Sequence, residues 1–234
     1  MTYQEYLDSR EANKKRIIEY MEAGVIFLDI DTVFIDEGVK IAEGTVIEPC
    51  VQIRGETEIG ANCLIGQNSR IEKSVLSDNV SVLSSVVLES KIGAGTKVGP
   101  FAYLRPNSVI GSDCKIGDFV EVKNSTLGDG TKASHLTYIG DSDLGNDINL
   151  GCGVVFVNYD GTNKHRSTIE DGAFIGCNTN LVSPVNVGEG AYIAAGTTVT
   201  KNVPDDALCV GRTRQKVIEG WAKERGLYRK NKDK

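Results

Sequence analysis

The sequence predicts an all-β solenoid, a parallel β-helix of short strands, on three observations. Aliphatic residues recur six positions apart at Ile35, Ile41, Ile47, Ile53, Ile59, Ile65 and Ile71. Glycine often follows the aliphatic, as at Gly60, Gly66, Gly93, Gly99, Gly111 and Gly117. A small or hydroxyl residue commonly stands four places after it: Thr57, Cys63, Ser69, Thr96, Thr131, Thr197. Neither the helical period of 3.6 nor the strand period of 2 produces this pattern. A six-residue unit is one short strand and one corner. The aliphatic points inward, and glycine accepts the backbone angles that a corner demands. Three units close a triangular coil of about eighteen residues, and stacked coils hydrogen-bond along the axis.

The elements follow in order. Residues 1–34 read as a helix and connector. Over 3–23, Tyr6, Ile17, Ile18 and Met21 are apolar among charges, so this amphipathic helix is expected to cap the open edge of the first coil. Residues 35–203 carry the repeats, enough for about nine coils. Five-residue steps near 71–76, 82–92, 122–127 and 139–144 read as tightened corners. The 13-residue step from Phe156 to Ile169 extrudes a polar loop, 157–168, holding Asn158, Tyr159, Asp160, Lys164, His165 and Arg166. Insertions in solenoids project from a face and often carry function. The repeats stop at Val203-Pro204. Residues 204–234 form an arm with a helix over RQKVIEGWAKERG and a basic tail, with Trp221 expected to pack that helix down.

Composition narrows the function. The chain has 234 residues, 40% hydrophobic and 25% charged, with a net charge of −6. It can bury a core without metal or disulfide, and its acidity argues against a nucleic-acid partner. No apolar run is long enough to span a membrane, and the start lacks the pattern of a secretory signal. The six cysteines form no CxxC pair and read as free thiols in a reducing cytosol. Two histidines, His135 and His165, exclude chemistry that draws three from one chain, including a three-histidine zinc site of the carbonic anhydrase kind.

His135 near a corner is either a satisfied corner residue or a general base suited to deprotonating an ammonium or hydroxyl. Arg105 and Lys123 lie one coil apart, and with Lys164 they either decorate the surface or converge on an anion such as a phosphate. Asn158-Tyr159-Asp160-Gly161 is a turn whose first two side chains stand at the loop base.

The stretch from PFAYLRP at 100 through EVKNSTLGDGTKASHLTYIGDSDLGNDINLGCGVVFVNYDGTNKH to FIGCNTNLVSPVNVGEGAYIAAGTTVT resembles the acetyltransferase domain of the bifunctional bacterial N-acetylglucosamine-1-phosphate uridyltransferase/glucosamine-1-phosphate N-acetyltransferase. The similarity spans about 15–220. It implies a left-handed β-helix of hexapeptide repeats, a hand opposite to the usual crossover rule. It also implies acetyl-CoA-dependent acetylation of glucosamine 1-phosphate in the precursor pathway of UDP-N-acetylglucosamine and peptidoglycan. His135 then matches the base. Arg105, Lys123, Tyr138, Asn149 and Lys164 match sugar-phosphate contacts. Asn158, Tyr159, Cys152, Cys177, Ala195 and Arg212 match positions at the acetyl-CoA side. The same resemblance implies a cytoplasmic homotrimer whose loop and C-terminal arm complete a neighbour's site, with no metal. Cys152 stands where the family has a small residue and is expected to serve as a small thiol rather than a nucleophile.

The chain lacks a glycine-rich phosphate loop near its start, so uridylyl transfer is not expected. A stand-alone domain of this kind would work beside a separate nucleotidyltransferase. The alternatives are the same chemistry on another amino sugar or a nucleotide-linked one, and a non-catalytic trimeric scaffold.

Overall fold

Each six-residue unit becomes a strand of two to four residues and a corner. In the computed structural model, which describes residues 2–227, the strands stack into three parallel sheets of eleven, ten and nine strands. The result is a left-handed parallel β-helix of about ten turns. The first face runs from Ile26–Phe27 to Leu208–Cys209, the second from Phe34–Ile35 to Thr198–Val199, and the third from Lys40–Ile41 to Asn186–Val187. The winding thus begins before Ile35, with Ile26 over Val46, and continues past Pro204, where Leu208 pairs with Tyr192. Aliphatic spacing misses these ends because LDIDT and Pro204-Asp205 break the six-residue phase. Ladder hydrogen bonds follow the chain path instead.

The inward aliphatics make one continuous core. Ile47, Ile53, Ile65, Ile71, Leu104, Ile116 and Phe156 are fully buried. The hydroxyl column is buried too, and several of its hydroxyls are satisfied twice. Thr96 Oγ1 donates to the Gly111 carbonyl (2.7 Å) and accepts from the Cys114 N–H (2.9 Å). Thr131 repeats the pattern with Gly145 and Ile148. Burial of an oxygen is tolerated only when it is bonded in this way. The five-residue steps are tightened corners, each turned by one residue in the left-handed conformation: Lys73 (φ 47°), Ser84 (42°), Glu89 (45°), Asn124 (47°) and Asp141 (51°). The coils stay in register across them, so Val86 lies over Arg70 and Lys91 over Val75.

The N-terminal helix, Tyr3–Glu22, starts at a capping box. Thr2 Oγ1 accepts from the Glu5 N–H, and the Glu5 carboxylate accepts from the Thr2 N–H. It caps the first coil, but with polar side chains. Ile17 is buried, whereas Tyr6, Ile18 and Met21 are nearly half exposed. The open edge presents unpaired backbone groups. Buried Asn13 donates Nδ2–H to the Val33 carbonyl and accepts the Ile35 N–H on Oδ1, both at 2.9 Å. Arg16 donates to the Ile35 carbonyl and the Tyr20 hydroxyl to the Val39 carbonyl.

The C-terminal helix is shorter than expected, Trp221–Glu224, with no buried residue. Gly220, in the left-handed conformation at φ 75°, stands at its start. A segment this short gains little helix without a surface to pack on. Trp221 does not pin it to the solenoid: the ring is 43% exposed and meets the Arg225 guanidinium at 4.5 Å. Most of the basic tail lies outside the described residues.

Replacing Asn13 by Ala strands one buried acceptor and one buried donor. It should cost about 2–3 kcal/mol and lower the melting temperature. Loss of the Ile18 side chain should leave it nearly unchanged. Thermal unfolding followed by circular dichroism checks both.

Candidate active site

The corner between the first and second faces gathers the site. His135 ends the first-face strand Lys132–His135, in register with Asp118 of Lys115–Asp118. Its Nδ1 lies 2.6 Å from Asp118 Oδ1. This contact with His135 is the main reason the Asp118 carboxyl is held below its ordinary range. The next coils continue the column. The Gly153 N–H donates to the Leu136 carbonyl, the Asn178 N–H to the Cys152 carbonyl, and the Gly196 N–H to the Cys177 carbonyl. Asp118, His135, Cys152, Cys177 and Ala195 therefore stack at one corner. Among the described residues, the Cys152 N–H has no backbone acceptor, and no hydrogen bond joins the Cys152 thiol to His135. Arg212 reaches the far end, its Cδ 3.8 Å from a Cβ built on Gly196.

The cations gather on the second face. Leu104 lies over Val122 in the ladder, which sets Lys123 one coil beyond Arg105. Arg105 pairs with Glu121 at 2.8 Å. Lys164 comes from the loop to within hydrogen-bonding reach of Lys123. That neighbouring charge pushes the Lys164 ammonium below the ordinary lysine range.

Asp141, turned inward by its tight corner, is buried. It accepts from Asn124 Nδ2 (2.6 Å) and Asn158 Nδ2 (2.5 Å), and lies 3.4 Å from Lys123 Nζ. Burial pushes its carboxyl up, but the two amides and Lys123 outweigh burial and hold it below the usual carboxylate range. Asn158 also lies 3.3 Å from the Tyr138 hydroxyl. Gly140 makes this packing possible, since a Cβ there would sit 2.4 Å from that hydroxyl and 2.7 Å from Asn158 Nδ2.

The loop is an ordered hairpin closed by a Tyr159–Lys164 bridge. Asp160 accepts from the Asn163 and Thr162 N–H groups and meets His165 Nε2 at 2.6 Å. Those contacts, led by Asn163, hold its carboxyl down to about 2. Arg166 fastens the loop base to Asp143 and to the carbonyls of Asn124 (2.8 Å) and Ser142 (3.1 Å).

The chain thus brings together Arg105, Lys123, Tyr138, Asn158 and Lys164, and separately stacks His135, Cys152, Cys177 and Ala195. It does not join Asn149 to either group, and Tyr159 meets the cation group only through its backbone bridge to Lys164. Asn149 sits on the first face between Lys132 and Phe174, and the exposed Tyr159 donates its hydroxyl to the Gly161 carbonyl. Sequence reading missed Asp118, Glu121, Asp141 and Arg166. One-coil spacing from His135 would have found Asp118, and the five-residue step at 139–144 marks Asp141. No group of three or more His, Cys, Asp or Glu among the described residues is arranged to hold a metal ion.

A three-sided coil of stacked six-residue units defines a hexapeptide-repeat solenoid. The family model "Bacterial transferase hexapeptide (six repeats)" matches residues 38–73, 89–124 and 166–201, and the chain belongs to this family. It is 50% identical to the "Bifunctional protein GlmU" of Alkaliphilus metalliredigens over 221 residues, 94% of this chain and 48% of that protein. The same-named protein of Thermodesulfovibrio yellowstonii is 53% identical over 214 residues, 91% of this chain and 47% of the relative. The chain spans about half the length of these relatives, which bears out the resemblance to the β-helical part of the bifunctional enzyme. Among solved structures, the Francisella novicida UDP-N-acetylglucosamine acyltransferase matches with a TM-score of 0.50 at 20% identity, covering 86% of this chain and 74% of that one. This likeness is one of fold.

Because its folded pKa is depressed, Asp141 contributes stability that is present above the unfolded value near 4 and lost as pH falls through the folded value. The side-chain amide resonances of Asn124 and Asn158 should stay fixed from about pH 8 to 5 and shift below about pH 4. A midpoint above pH 5 would contradict the assignment, and Asp141→Ala should lack the transition.

Proposed function

We propose that residues 35–203 form an acetyl-CoA-dependent N-acetyltransferase domain that converts glucosamine 1-phosphate to N-acetylglucosamine 1-phosphate. The observation that carries this reading is a solvent-open imidazole, His135, stacked next to the corner N–H of Cys152, together with a cluster of Arg105, Lys123 and Lys164 on the second face. About 50% identity to the bifunctional relatives supports it.

The chemistry follows from these groups. The cations take the sugar phosphate, which relieves the repulsion between Lys123 and Lys164. His135 accepts a proton from the sugar ammonium. The free amine attacks the thioester carbonyl, and the developing oxyanion is met by the Cys152 N–H. The attacking nitrogen loses its second proton to solvent, the C–S bond breaks, His135 returns its proton to the departing thiolate, and the products are the amide, free CoA and one released proton. Cys152 needs no nucleophilic role here, because an amine attacks a thioester directly. The six free thiols suit a reducing cytoplasm.

The assembly in this reading is a homotrimer. Phe101, Phe119 and Leu136 form an exposed ridge beside His135, each more than half exposed, with the two rings stacked 5.6 Å apart. All three have positive φ (59°, 56° and 42°), a strained conformation for bulky side chains. Val217, Ile218 and Trp221 of the arm are also uncovered. Solvent-facing apolar groups of this size favour burial against a neighbouring copy.

Free thiol should appear only when glucosamine 1-phosphate and acetyl-CoA are both supplied. Replacing His135 by Ala should lower kcat by about 10²–10⁴, and near-full activity would refute its role as base. Arg105→Ala and Lys123→Ala should each raise the KM for the sugar phosphate roughly tenfold. Rates on a panel of amino sugars, nucleotide-linked ones included, test the acceptor. Analytical ultracentrifugation should give a trimer for the wild type and smaller species for Phe101→Ser/Phe119→Ser.

A further inference from the structure

We infer that Asp118 is a positioning residue for His135, fixing the imidazole with its proton on Nδ1 and leaving Nε2 as the basic nitrogen. This rests on the reading of His135 as general base.

Three observations carry it. First, the two side chains meet at 2.6 Å from positions aligned in the ladder. An ionised carboxylate only accepts hydrogen bonds, so the imidazole donates from Nδ1. Second, the backbone is built around the contact. Lys115–Asp118 and Lys132–His135 are each four residues long, where most strands here have two or three. Between Ile116 and Asp118 stands Gly117, where a Cβ would lie 1.9 Å from the Ser134 carbonyl oxygen. Only glycine permits the close approach that brings Asp118 to His135. Third, the chain holds its other histidine the opposite way. His165 meets Asp160 through Nε2, so the nitrogen chosen at His135 is a local property of the ladder. The other charges on the two paired strands are Lys115 and Lys132, and the strand above, Asn149–Leu150, carries none.

Physically, the carboxylate does two things. It removes the alternative tautomer, in which Nε2 carries the proton and cannot accept another. It also favours the imidazolium that forms when the sugar ammonium is deprotonated. Asp118 itself takes no proton and touches no substrate in this role.

The test uses the full chain. With two histidines, the ring nitrogen NMR resonances can be assigned by replacing His165, and the tautomer of neutral His135 read without substrate from the separate Nδ1 and Nε2 shifts. Wild type should show a protonated Nδ1 and an unprotonated Nε2, and Asp118→Ala a mixture of the two tautomers. With glucosamine 1-phosphate and acetyl-CoA, kcat should fall about tenfold or more, while both KM values stay within about twofold. Asp118→Asn keeps an acceptor oxygen but loses the charge, and should fall between wild type and Asp118→Ala in both readouts. An unchanged Nδ1–H tautomer in Asp118→Ala overturns the inference whatever the activity. A wild-type kcat in Asp118→Ala, with His135→Ala inactive, also overturns it and leaves the base assignment standing. An active His135→Ala instead removes the base reading, and this role with it.

Discussion

The hydrogen-bonded register between successive coils is the constraint from which the rest follows. Each residue's neighbour above and below is fixed by the ladder, at a spacing of about 4.8 Å. Side chains distant in sequence therefore become vertical neighbours. Asp118 meets His135, Lys123 follows Arg105, and Cys152 lies beneath Cys177. The core of stacked Ile, Leu and Val residues keeps this register, because a slip of one residue would turn the whole inward column outward.

Against that rigid column, the site is made by its irregularities. A tightened corner at Asp141 drives a carboxylate inward among cations and amides. Burial alone would favour a neutral acid there, but two amide donors and Lys123 reverse the balance. The carboxylate then orients Asn158 and offsets part of the charge of Lys123, while Lys164 adds positive charge from the loop. Both substrates of the proposed reaction carry anionic phosphates, and this local excess of cations lies within a chain of net charge −6.

The two ends solve one problem by different means. A β-helix exposes ladder groups at its first and last coils. At the start, Asn13, Arg16 and Tyr20 place donors and an acceptor on the open edges of the second and third faces, beside Phe34–Ile35 and Lys40–Ile41. The arm at the other end leaves Val217, Ile218 and Trp221 uncovered in the single chain. The helix was legible as amphipathic, but its buried face was read from apolar residues, whereas the edge selects hydrogen-bonding ones.

The sequence by itself determined the solenoid, its three-sided coil, the protruding loop and the columns of inward aliphatics, because a local period of six maps directly onto strand and corner. It also singled out His135, Arg105, Lys123 and Lys164, whose residue types announce their chemistry. Tertiary structure alone decided which groups touch. Asp118 and Asp141 look like ordinary corner residues in the sequence, and Asn149 looks like a companion of Tyr138 although it stands on a different face. The physical reason is that a contact depends on coil length and corner tightness summed over a whole turn, which together decide which residues of successive coils become vertical neighbours.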